Sequence, residues 1–239
     1  MPIVGGPFSS LYVGDAQATD RRPRTFRRAV SANSYASLTS ATLNNQVSTP
    51  DSASLDITGD VEIVVRIAPT DYSNGGEQRI LSKRDGASRG NYEIHLTATG
   101  AVTFSCNDGA KEGTSSSVLP YGNGVASWLK VEKFTSTGTI RFYHAADQTA
   151  EPTSWTQLGT DVASGAGALV GTADSLWIGS LGSLTAVYQG RIHRAIVRNG
   201  VGGTTVADFN PNLWVSGSTF TSTDGRVYTL NGTAAITKA

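Results

Sequence analysis

Short runs of strand-forming residues, bounded by turn residues, fill most of this sequence and constrain its fold more than any other feature. The clearest run lies within ITGDVEIVVRIAP, residues 57–69. Because side chains alternate between the two faces of a strand, Val61 and Ile63 share one face, and Glu62 and Arg66 share the other. This alternation predicts one buried face and one charged face. No stretch has apolar residues at helical spacing over three turns, so we predict an all-β fold.

The strand-like segments follow one another with turn signals between them. They are SLDI leading into VEIVVRI, QRILSKR, NYEIHLTA, AVTFSC, SWLKVEKF, TIRFYHA, TQLGTDV, SLWIGSL, GRIHRAIVRNG and RVYTLNG. Glycine in TATGA and TSTGT permits the positive φ angle that a tight hairpin turn needs. We therefore predict an antiparallel meander that forms a sandwich, with the terminal RVYTLNGTAAI pairing with an early strand.

The composition excludes several classes of partner and site. The 239 residues carry 19 basic and 19 acidic side chains, so no net charge attracts the chain to nucleic acid or a membrane. Cys106 is the only cysteine, which excludes an intramolecular disulfide and a cysteine-rich zinc site. The start, MPIVGGPFSSLYVGDAQ, lacks signal-peptide character, and no run of ~18 apolar residues could span a membrane. We therefore expect assembly in a cytoplasm.

Residues 1–34 differ from the rest of the chain, because a Gly-rich start leads into the basic segment DRRPRTFRRAV. We interpret them as an extended N-terminal arm and residues 35–239 as one β-sandwich domain, although a solvated tail is the alternative. Ordering such an arm costs on the order of 1 kcal/mol or more per residue, which docking on a neighbouring subunit would offset. The predicted partner-binding residues are Arg21, Arg22, Arg24, Arg27, Arg28, Phe8, Tyr12 and Phe26.

Four longer segments occur in a characteristic order. They are VSTPDSASLDITGDVEIVVRIAP, RILSKRDGASRGNYEIHLTATGAVTFS, ASWLKVEKFTSTGTIRFYHAAD and SLWIGSLGSLTAVYQGRIHRAIVRNGV. Together they resemble the laminin-G-like branch of the concanavalin A-like jelly rolls, over roughly residues 35–200 with a closing strand near 226–236. The resemblance implies a two-sheet antiparallel jelly-roll sandwich. In the family's G-x-I-D-E corner, His193 and Arg194 replace the acidic pair, so no function of that corner is carried over.

The domain, its arm and the missing signal peptide together resemble laminin-G-like structural proteins of actinobacterial phages. That resemblance implies a non-enzymatic virion protein, either a minor tail protein or a capsid decoration protein. Its arm would anchor it to the particle, and its jelly roll would face outward. The expected partners are other virion proteins in a homo-oligomeric or symmetric assembly, and a host-surface glycan. Two alternatives stay open, namely a free or cell-surface carbohydrate-binding module and a glycoside hydrolase or lyase.

The sequence lacks the motifs of the common catalytic sites. Glucanases on this fold carry a Glu-x-Asp-x-x-Glu pattern on a strand, whereas here Asp60 and Glu62 stand alone, about 6.8 Å apart on an ideal strand. Arg66 on the same face offers them a partner. No Gly-x-Ser-x-Gly, Walker or His-Glu-x-x-His motif occurs. We therefore predict no catalytic residue, and we expect Asp60 and Glu62 to behave as surface side chains on a scaffold strand.

Metal-binding patterns are also weak. His95, His144 and His193 lie in three different strand-like runs without short ligand spacing, so we predict no metal site for them. Calcium stays open, because laminin-G-like domains often bind it at a rim loop through Asp side chains. The loop aspartates are Asp51, Asp71, Asp85, Asp108 and Asp174, and they form no dense acidic cluster. We therefore predict no cofactor, with calcium as the alternative.

Glycan binding on such folds combines an aromatic side chain with amide, carboxylate or guanidinium groups in a rim loop. The loops TDYSNGGEQ, KRDGASRGN and LPYGNG hold the residues with this chemistry. The candidates are Tyr72, Asn74, Arg84, Asp85, Asn91, Tyr121 and Asn123. Trp155 and Trp214, in irregular stretches, are candidates for an interface, whereas Trp128 and Trp177 are expected to fill the core.

Overall fold

Two antiparallel sheets form the molecule in the computed structural model, which describes residues 33–38, 44–84, 91–106, 111–181 and 186–238. These residues contain no α-helix and two single 3₁₀ turns, Ala53–Leu55 and Pro211–Leu213. None of the helical segments in this part of the chain is long and apolar enough to cross a membrane. The all-β, two-sheet jelly-roll prediction is confirmed. The predicted arm, residues 1–34, lies outside the described residues except for Asn33 and Ser34.

Seventeen strands make up the two sheets within the described residues. In chain order they are β1 (Tyr35–Leu38), β2 (Gln46–Thr49), β3 (Val61–Pro69), β4 (Gln78–Ser82), β5 (Glu93–Leu96), β6 (Ala101–Ser105), β7 (Gly113–Val118), β8 (Ser127–Lys133), β9 (Thr139–Ala146), β10 (Thr156–Gln157), β11 (Val162–Ala163), β12 (Leu176–Ile178), β13 (Gly190–Asn199), β14 (Thr204–Phe209), β15 (Thr219–Thr221), β16 (Val227–Asn231) and β17 (Ala235–Thr237).

The nine-stranded sheet has the order β10-β9-β8-β3-β13-β1-β17, with β11 paired to β9 and β14 paired to β13. The eight-stranded sheet has the order β15-β16-β2-β12-β4-β5-β6-β7. The core lies between them and includes Val61, Ile63, Val65 and Ile67 of β3. The predicted pairing of the C-terminal segment with early strands is confirmed, because β16 pairs with β2 and β17 with β1.

The two hairpin turns that the glycines in TATGA and TSTGT predict are also present. Gly100, between β5 and β6, has a φ of 87°, and Gly138, between β8 and β9, has a φ of 73°. Gly138 is further required by space, because a Cβ there would lie 2.4 Å from the carbonyl carbon of Gly165. Glycine therefore sets both turns through backbone conformation, as its freedom at positive φ predicts.

The charged face of β3 is buried, contrary to the expectation of a solvent-facing side. Glu62 is 4% exposed and Arg66 is 6% exposed. The segment 147–155 covers this outer face of the nine-stranded sheet. Arg66 Nε pairs with Asp147 Oδ1 at 2.7 Å, and the indole of Trp128 donates to the carbonyl of Gln148 at 2.9 Å. A loop that sequence alternation cannot place therefore converts a polar surface into an interior layer.

The partners of the β3 carboxylates also differ from the expectation. Glu62 pairs with Arg198 because the two residues are direct neighbours in the β3–β13 register, whereas Arg66 lies four positions farther along β3. Asp60 Oδ1 accepts bonds from the backbone nitrogen and hydroxyl of Thr135, each 2.7 Å long. Both carboxylates therefore hold parts of the scaffold in place, but neither relies on Arg66.

Trp128 packs away from the main core. With Val64 and Ile196 it forms a small second cluster on the outer face, and Trp155 packs against that cluster. Trp128 is fully buried, as expected, but its alternation on β8 places it on the face opposite Leu129 and Val131, which belong to the main core. Trp177, on β12, is half-buried.

Candidate functional site

A pocket opens on the outer face of the nine-stranded sheet, where β3 ends and β13 begins. Its volume is about 290 Å³. It is lined by Tyr35, Ser37, Ala68, Thr70, Asn123, Gly124, Gly190 and Arg191. Three strands and the loop before β8 therefore contribute to one concavity, which we call the Arg191 pocket.

Strand register creates the space around Arg191. In the antiparallel pairing, Arg191 lies opposite Ser37 on one side and opposite Ala68 on the other. Both neighbours are small, so neither fills the area beside the arginine. Gly190 has a φ of 147°, and a Cβ there would lie 2.4 Å from the carbonyl oxygen of Ala68. A larger residue at position 190 would therefore force β3 and β13 apart at the pocket floor.

The Arg191 side chain is held on two sides. Its guanidinium carbon lies 5.4 Å from the centre of the Tyr35 ring, and Nη2 donates to the carbonyl of Gly124. The Tyr188 hydroxyl donates to the Arg191 carbonyl at 3.1 Å, which ties the backbone to the buried core. The arginine is therefore positioned before any ligand arrives.

His193 supports Tyr35 from the adjacent position. The two ring centres lie 5.1 Å apart at an interplanar angle of 56°. Burial, the largest cause, and the positive charges of Arg66 and Arg191 together lower the pKa of His193 to about 4. His193 is therefore neutral near pH 7 and adds no second positive charge beside the pocket.

The loop that closes the pocket is tied to its neighbours. Asn123 Oδ1 accepts the backbone N–H of Tyr72 at 2.9 Å, and Gly124 N donates to the carbonyl of Pro69 at 2.7 Å. The Asn123 side chain is oriented by the first bond, which leaves its Nδ2 group without a partner among the described residues. The Ser37 and Thr70 hydroxyls likewise have none there. The pocket thus presents an aromatic ring, two hydroxyls, an amide and a guanidinium.

This set of groups suits binding better than catalysis. Sugar recognition uses an apolar ring face together with a few oriented hydrogen-bonding groups. Within the lining there is no carboxylate to act as acid or nucleophile, and glycoside hydrolysis in most families needs a pair of them. The geometry therefore fits a site that holds a hydroxylated ligand.

Of the six glycan-binding candidates that the structure describes, Asn123 alone lines this pocket. Tyr72 is buried, and its hydroxyl lies 3.0 Å from both the Val125 carbonyl and the Ser127 hydroxyl. Asn91 is fully buried. These two side chains face the interior and serve packing and hydrogen bonding there.

The remaining candidates that the structure describes each contact a different neighbour. Asn74 Oδ1 accepts the Gly76 N–H at 3.0 Å within its own turn, and Arg84 approaches Glu93 at 3.5 Å. The Tyr121 hydroxyl lies 2.9 Å from Nδ1 of His144. Asp85 lies outside the described residues. The structure therefore brings Tyr72 close to Asn123 and Tyr121, whereas Asn74 and Arg84 have other partners.

Tyr35, Ser37 and Arg191 were missed by the sequence reasoning. No local motif marks them, because Tyr35 and Arg191 are brought together by pairing of the first and thirteenth strands. The one available signal is alternation in GRIHR, which places Arg191 and His193 on the face opposite Ile192. Alternation alone does not reveal that the cross-strand neighbours are small.

The three histidines occupy separate environments. His95 contacts Arg79, His144 contacts Tyr121, and His193 contacts Tyr35. Burial is the main cause that lowers the pKa of His95 to about 3. Among the described residues, no group of three His, Cys, Asp or Glu side chains is placed to hold a metal ion.

Two of the aspartates considered for calcium, Asp51 and Asp174, contact the ammonium group of a lysine instead. The ammonium of Lys83, a fully buried residue, lies 2.8 Å from Asp51 Oδ1 and 2.9 Å from Asp56 Oδ1. It also donates to the backbone carbonyls of Thr172 and Asp174. We call this arrangement the Lys83 cage. Its oxygens are the kind a hard cation prefers, and the ammonium group already occupies the position between them.

Of the other three loop aspartates, the structure describes Asp71, which has a different partner. Asp71 Oδ1 accepts the Ser73 N–H at 2.9 Å, which is the turn-forming role expected for such a residue. Asp108 lies outside the described residues, as does Asp85. Calcium binding therefore stays an untested alternative from the sequence.

A second concavity, of about 270 Å³, lies beside Trp214 and β17, which is the last strand of the nine-stranded sheet among the described residues. Its lining includes Leu230 and Ile236. The Trp214 indole donates to the Gly217 carbonyl at 2.9 Å, and the Lys238 ammonium lies 5.2 Å from the centre of the Trp214 ring. Trp155, the other interface candidate, packs with Lys130 at 5.3 Å. Both tryptophans are half-buried, and both engage a lysine of their own chain.

The predicted arm contacts cannot be placed on this structure. The residues concerned, all outside the described ranges, are Arg21, Arg22, Arg24, Arg27, Arg28, Phe8, Tyr12 and Phe26. The described chain enters the domain at Asn33 and Ser34, where the Ser34 N–H donates to Asn212 Oδ1 at 2.9 Å. The anchoring role of the arm therefore stays a prediction.

No protein-family model and no curated protein sequence matches the chain. Solved structures do. A Bacteroides ovatus protein proposed to bind carbohydrate matches with a TM-score of 0.56 and 10% identity, over 86% of this chain and 60% of that chain. Domains LG4-5 of the mouse laminin α1 chain match with a TM-score of 0.47 and 14% identity, over 69% of this chain and 40% of that chain. A heptameric SAP-like pentraxin from Limulus polyphemus matches with a TM-score of 0.46 and 11% identity, over 71% of this chain and 77% of that chain.

The Bacteroides ovatus match supports the sandwich fold independently of the strand pattern. At 10% identity the likeness concerns the fold alone, since similar folds host unrelated functions. The chain spans 60% of the length of that protein. Any ligand must therefore be argued from the side chains of the Arg191 pocket.

Proposed function

We propose that this protein is a carbohydrate-binding, lectin-like module that binds its ligand in the Arg191 pocket. The observation that carries the proposal is the convergence of unpartnered polar groups on an aromatic ring. Ser37, Thr70 and Asn123 offer donors and acceptors that the described residues leave open, beside Tyr35. Such groups exchange bound water for ligand hydroxyls without breaking bonds inside the protein.

The fold comparison agrees with this proposal. The Bacteroides ovatus structure, which resembles this chain over most of its length, is itself proposed to bind carbohydrate. A binding role without catalysis also agrees with the pocket lining, which offers no acid and no nucleophilic carboxylate. We therefore propose a non-enzymatic module, in line with the sequence prediction.

A place in a phage particle is the finer prediction from the sequence. This prediction depends on the N-terminal arm, so substitutions in the arm test it, whereas substitutions in the pocket do not. Replacing the five arginines between positions 21 and 28 with Ser should abolish incorporation into particles while the domain still folds. Incorporation at the normal level would contradict the anchoring role and leave a free carbohydrate-binding module as the better description.

The binding proposal is tested by filling the pocket. Ser37→Tyr places a large side chain beside Arg191 and should reduce binding to glycan-array ligands at least ~10-fold, because the ligand loses its contact surface. Thr219→Tyr, on the exposed edge strand β15 of the other sheet, is the matched control. Equal binding by both variants, with unchanged thermal unfolding, would exclude this pocket as the site.

A further inference from the structure

We propose that the ligand of the Arg191 pocket is an acidic sugar, whose carboxylate binds the Arg191 guanidinium. This inference rests on the proposed carbohydrate-binding function and names the class of sugar. It follows from an imbalance of charge, from the orientation of one side chain and from the chemistry of the pocket wall.

Arg191 differs from the other arginines of the described ranges. Seven of these have a carboxylate within ion-pair distance, and they are Arg66, Arg79, Arg84, Arg141, Arg194, Arg198 and Arg226. Arg191 has a carbonyl and an aromatic ring as its partners, but no carboxylate in this part of the chain. Its charge is therefore available to an anion from outside.

The surroundings of Arg191 keep that charge uncompensated. The eight residues that line the pocket include no Asp or Glu. The nearby arginines Arg66 and Arg194 are paired with Asp147 and Asp208, so those carboxylates are engaged elsewhere. Among these eight lining residues, an anion meets one positive charge and no negative one.

The orientation of Arg191 suits a planar carboxylate. The guanidinium carbon lies over the Tyr35 ring, 5.4 Å from its centre, and among the described residues the one hydrogen bond of the guanidinium is from Nη2 to the Gly124 carbonyl. Nη2 is fixed by the Gly124 carbonyl, so the fork keeps its direction. Arginine commonly binds a carboxylate through two parallel hydrogen bonds, and prior positioning reduces the entropy lost on binding.

The rest of the wall matches the hydroxyls of one sugar ring. Ser37 and Thr70 each both donate and accept, and Asn123 Nδ2 donates. The volume of about 290 Å³ lies just below the range of roughly 300–1,000 Å³ that is typical of ligand pockets. One acidic sugar unit therefore fills the pocket, and the remaining glycan extends into solvent.

The test compares ligands that differ only at C6 of the terminal sugar, where one carries a negative charge and the others are neutral. Oligosaccharides ending in glucuronic acid, in its methyl ester and in glucose are titrated into the full-length protein, and affinities are measured by calorimetry. We expect the glucuronate to bind at least ~10-fold more tightly than its ester, since charge-assisted hydrogen bonds are about twice as strong as neutral ones. Added salt should reduce this preference, because it screens the attraction.

Variants then assign the preference to Arg191. Arg191→Met should abolish the difference between acid and ester, and Arg191→Lys should retain part of it, because lysine keeps the charge without the planar fork. The control is Arg141→Met, at an exposed ion pair with Asp161, which should leave the preference unchanged.

Three outcomes would overturn one idea or the other. Equal affinity for acid, ester and glucose would overturn the acidic-sugar inference and leave the binding function standing. A preference for the acid that persists in Arg191→Met would also overturn it. Absence of binding to every ligand on a broad glycan array would overturn the proposed function itself.

Discussion

Two cations of this molecule, Lys83 and Arg191, illustrate opposite uses of a positive charge. Lys83 is fully buried and surrounded by two carboxylates and two carbonyls. Arg191 is half-buried and faces a pocket without a carboxylate. Burial of a charge demands partners, so the lysine is a structural element. A positioned charge that lacks an ion partner is instead available for a ligand.

The largest expected effect is from breaking the Lys83 cage. Lys83→Met should lower the free energy of unfolding by about 3 kcal/mol, the low end for breaking a buried ion pair, because Asp51 and Asp56 keep some contact with solvent. Urea denaturation measures the change. Lys238→Met, at the partly exposed Trp214 contact, serves as control and should stay within about 1 kcal/mol. A Lys83 variant as stable as that control would refute the structural role.

Acid should reduce the stability of the fold through protonation of His193, which lies beside the Arg191 pocket. The pKa of His193 is lowered from 6.5 to about 4 in the folded protein, so the unfolded chain binds the proton more readily. The resulting stability is present above about pH 6.5 and is lost as the pH falls towards 4, by at most about 3 kcal/mol.

His193→Gln should therefore reduce the loss of stability between pH 7 and pH 4.5, as measured by thermal unfolding at each pH. An unchanged pH profile would show that His193 titrates normally in the folded state. In a separate NMR titration, Arg191→Met should raise the pKa of His193, because one of the charges that lower it is removed.

Glu62 tests whether the covered face of β3 behaves as an interior. Glu62→Gln should cost about 1–3 kcal/mol, because Glu62 is buried, pairs with Arg198 and accepts the Gly202 N–H at 3.2 Å. Asp161→Asn, in the exposed pair with Arg141, should cost less than about 1 kcal/mol. Denaturation curves that shift equally would restore the original expectation of a surface carboxylate.

The smallest expected effect completes the comparison. Arg191→Met should change the free energy of unfolding by no more than about 1 kcal/mol, since it removes a cation–π contact and one hydrogen bond but no ion pair. Chemical denaturation of Arg191→Met and Lys83→Met under the same conditions compares their free energies of unfolding. A loss as large as that of the lysine variant would mean that Arg191 is structural.

Much of the fold could be predicted from neighbouring residues. The alternation in β3, the glycines at 100 and 138 and the absence of helical periodicity all depend on local backbone preferences. The glycan-binding residues stay a prediction. Of the candidates that the structure describes, Tyr72 is buried, and Asn123 lines the Arg191 pocket.

The sequence by itself therefore determined the all-β class, the position of its hairpins and the impossibility of an internal disulfide. Tertiary structure decided which side chains meet. Tyr35 and Arg191 are more than 150 positions apart and become neighbours through the β1–β13 pairing. The segment 147–155 likewise covers Glu62 and Arg66 after folding. Strand register and loop coverage depend on burial of the whole core, which no local pattern of residues encodes.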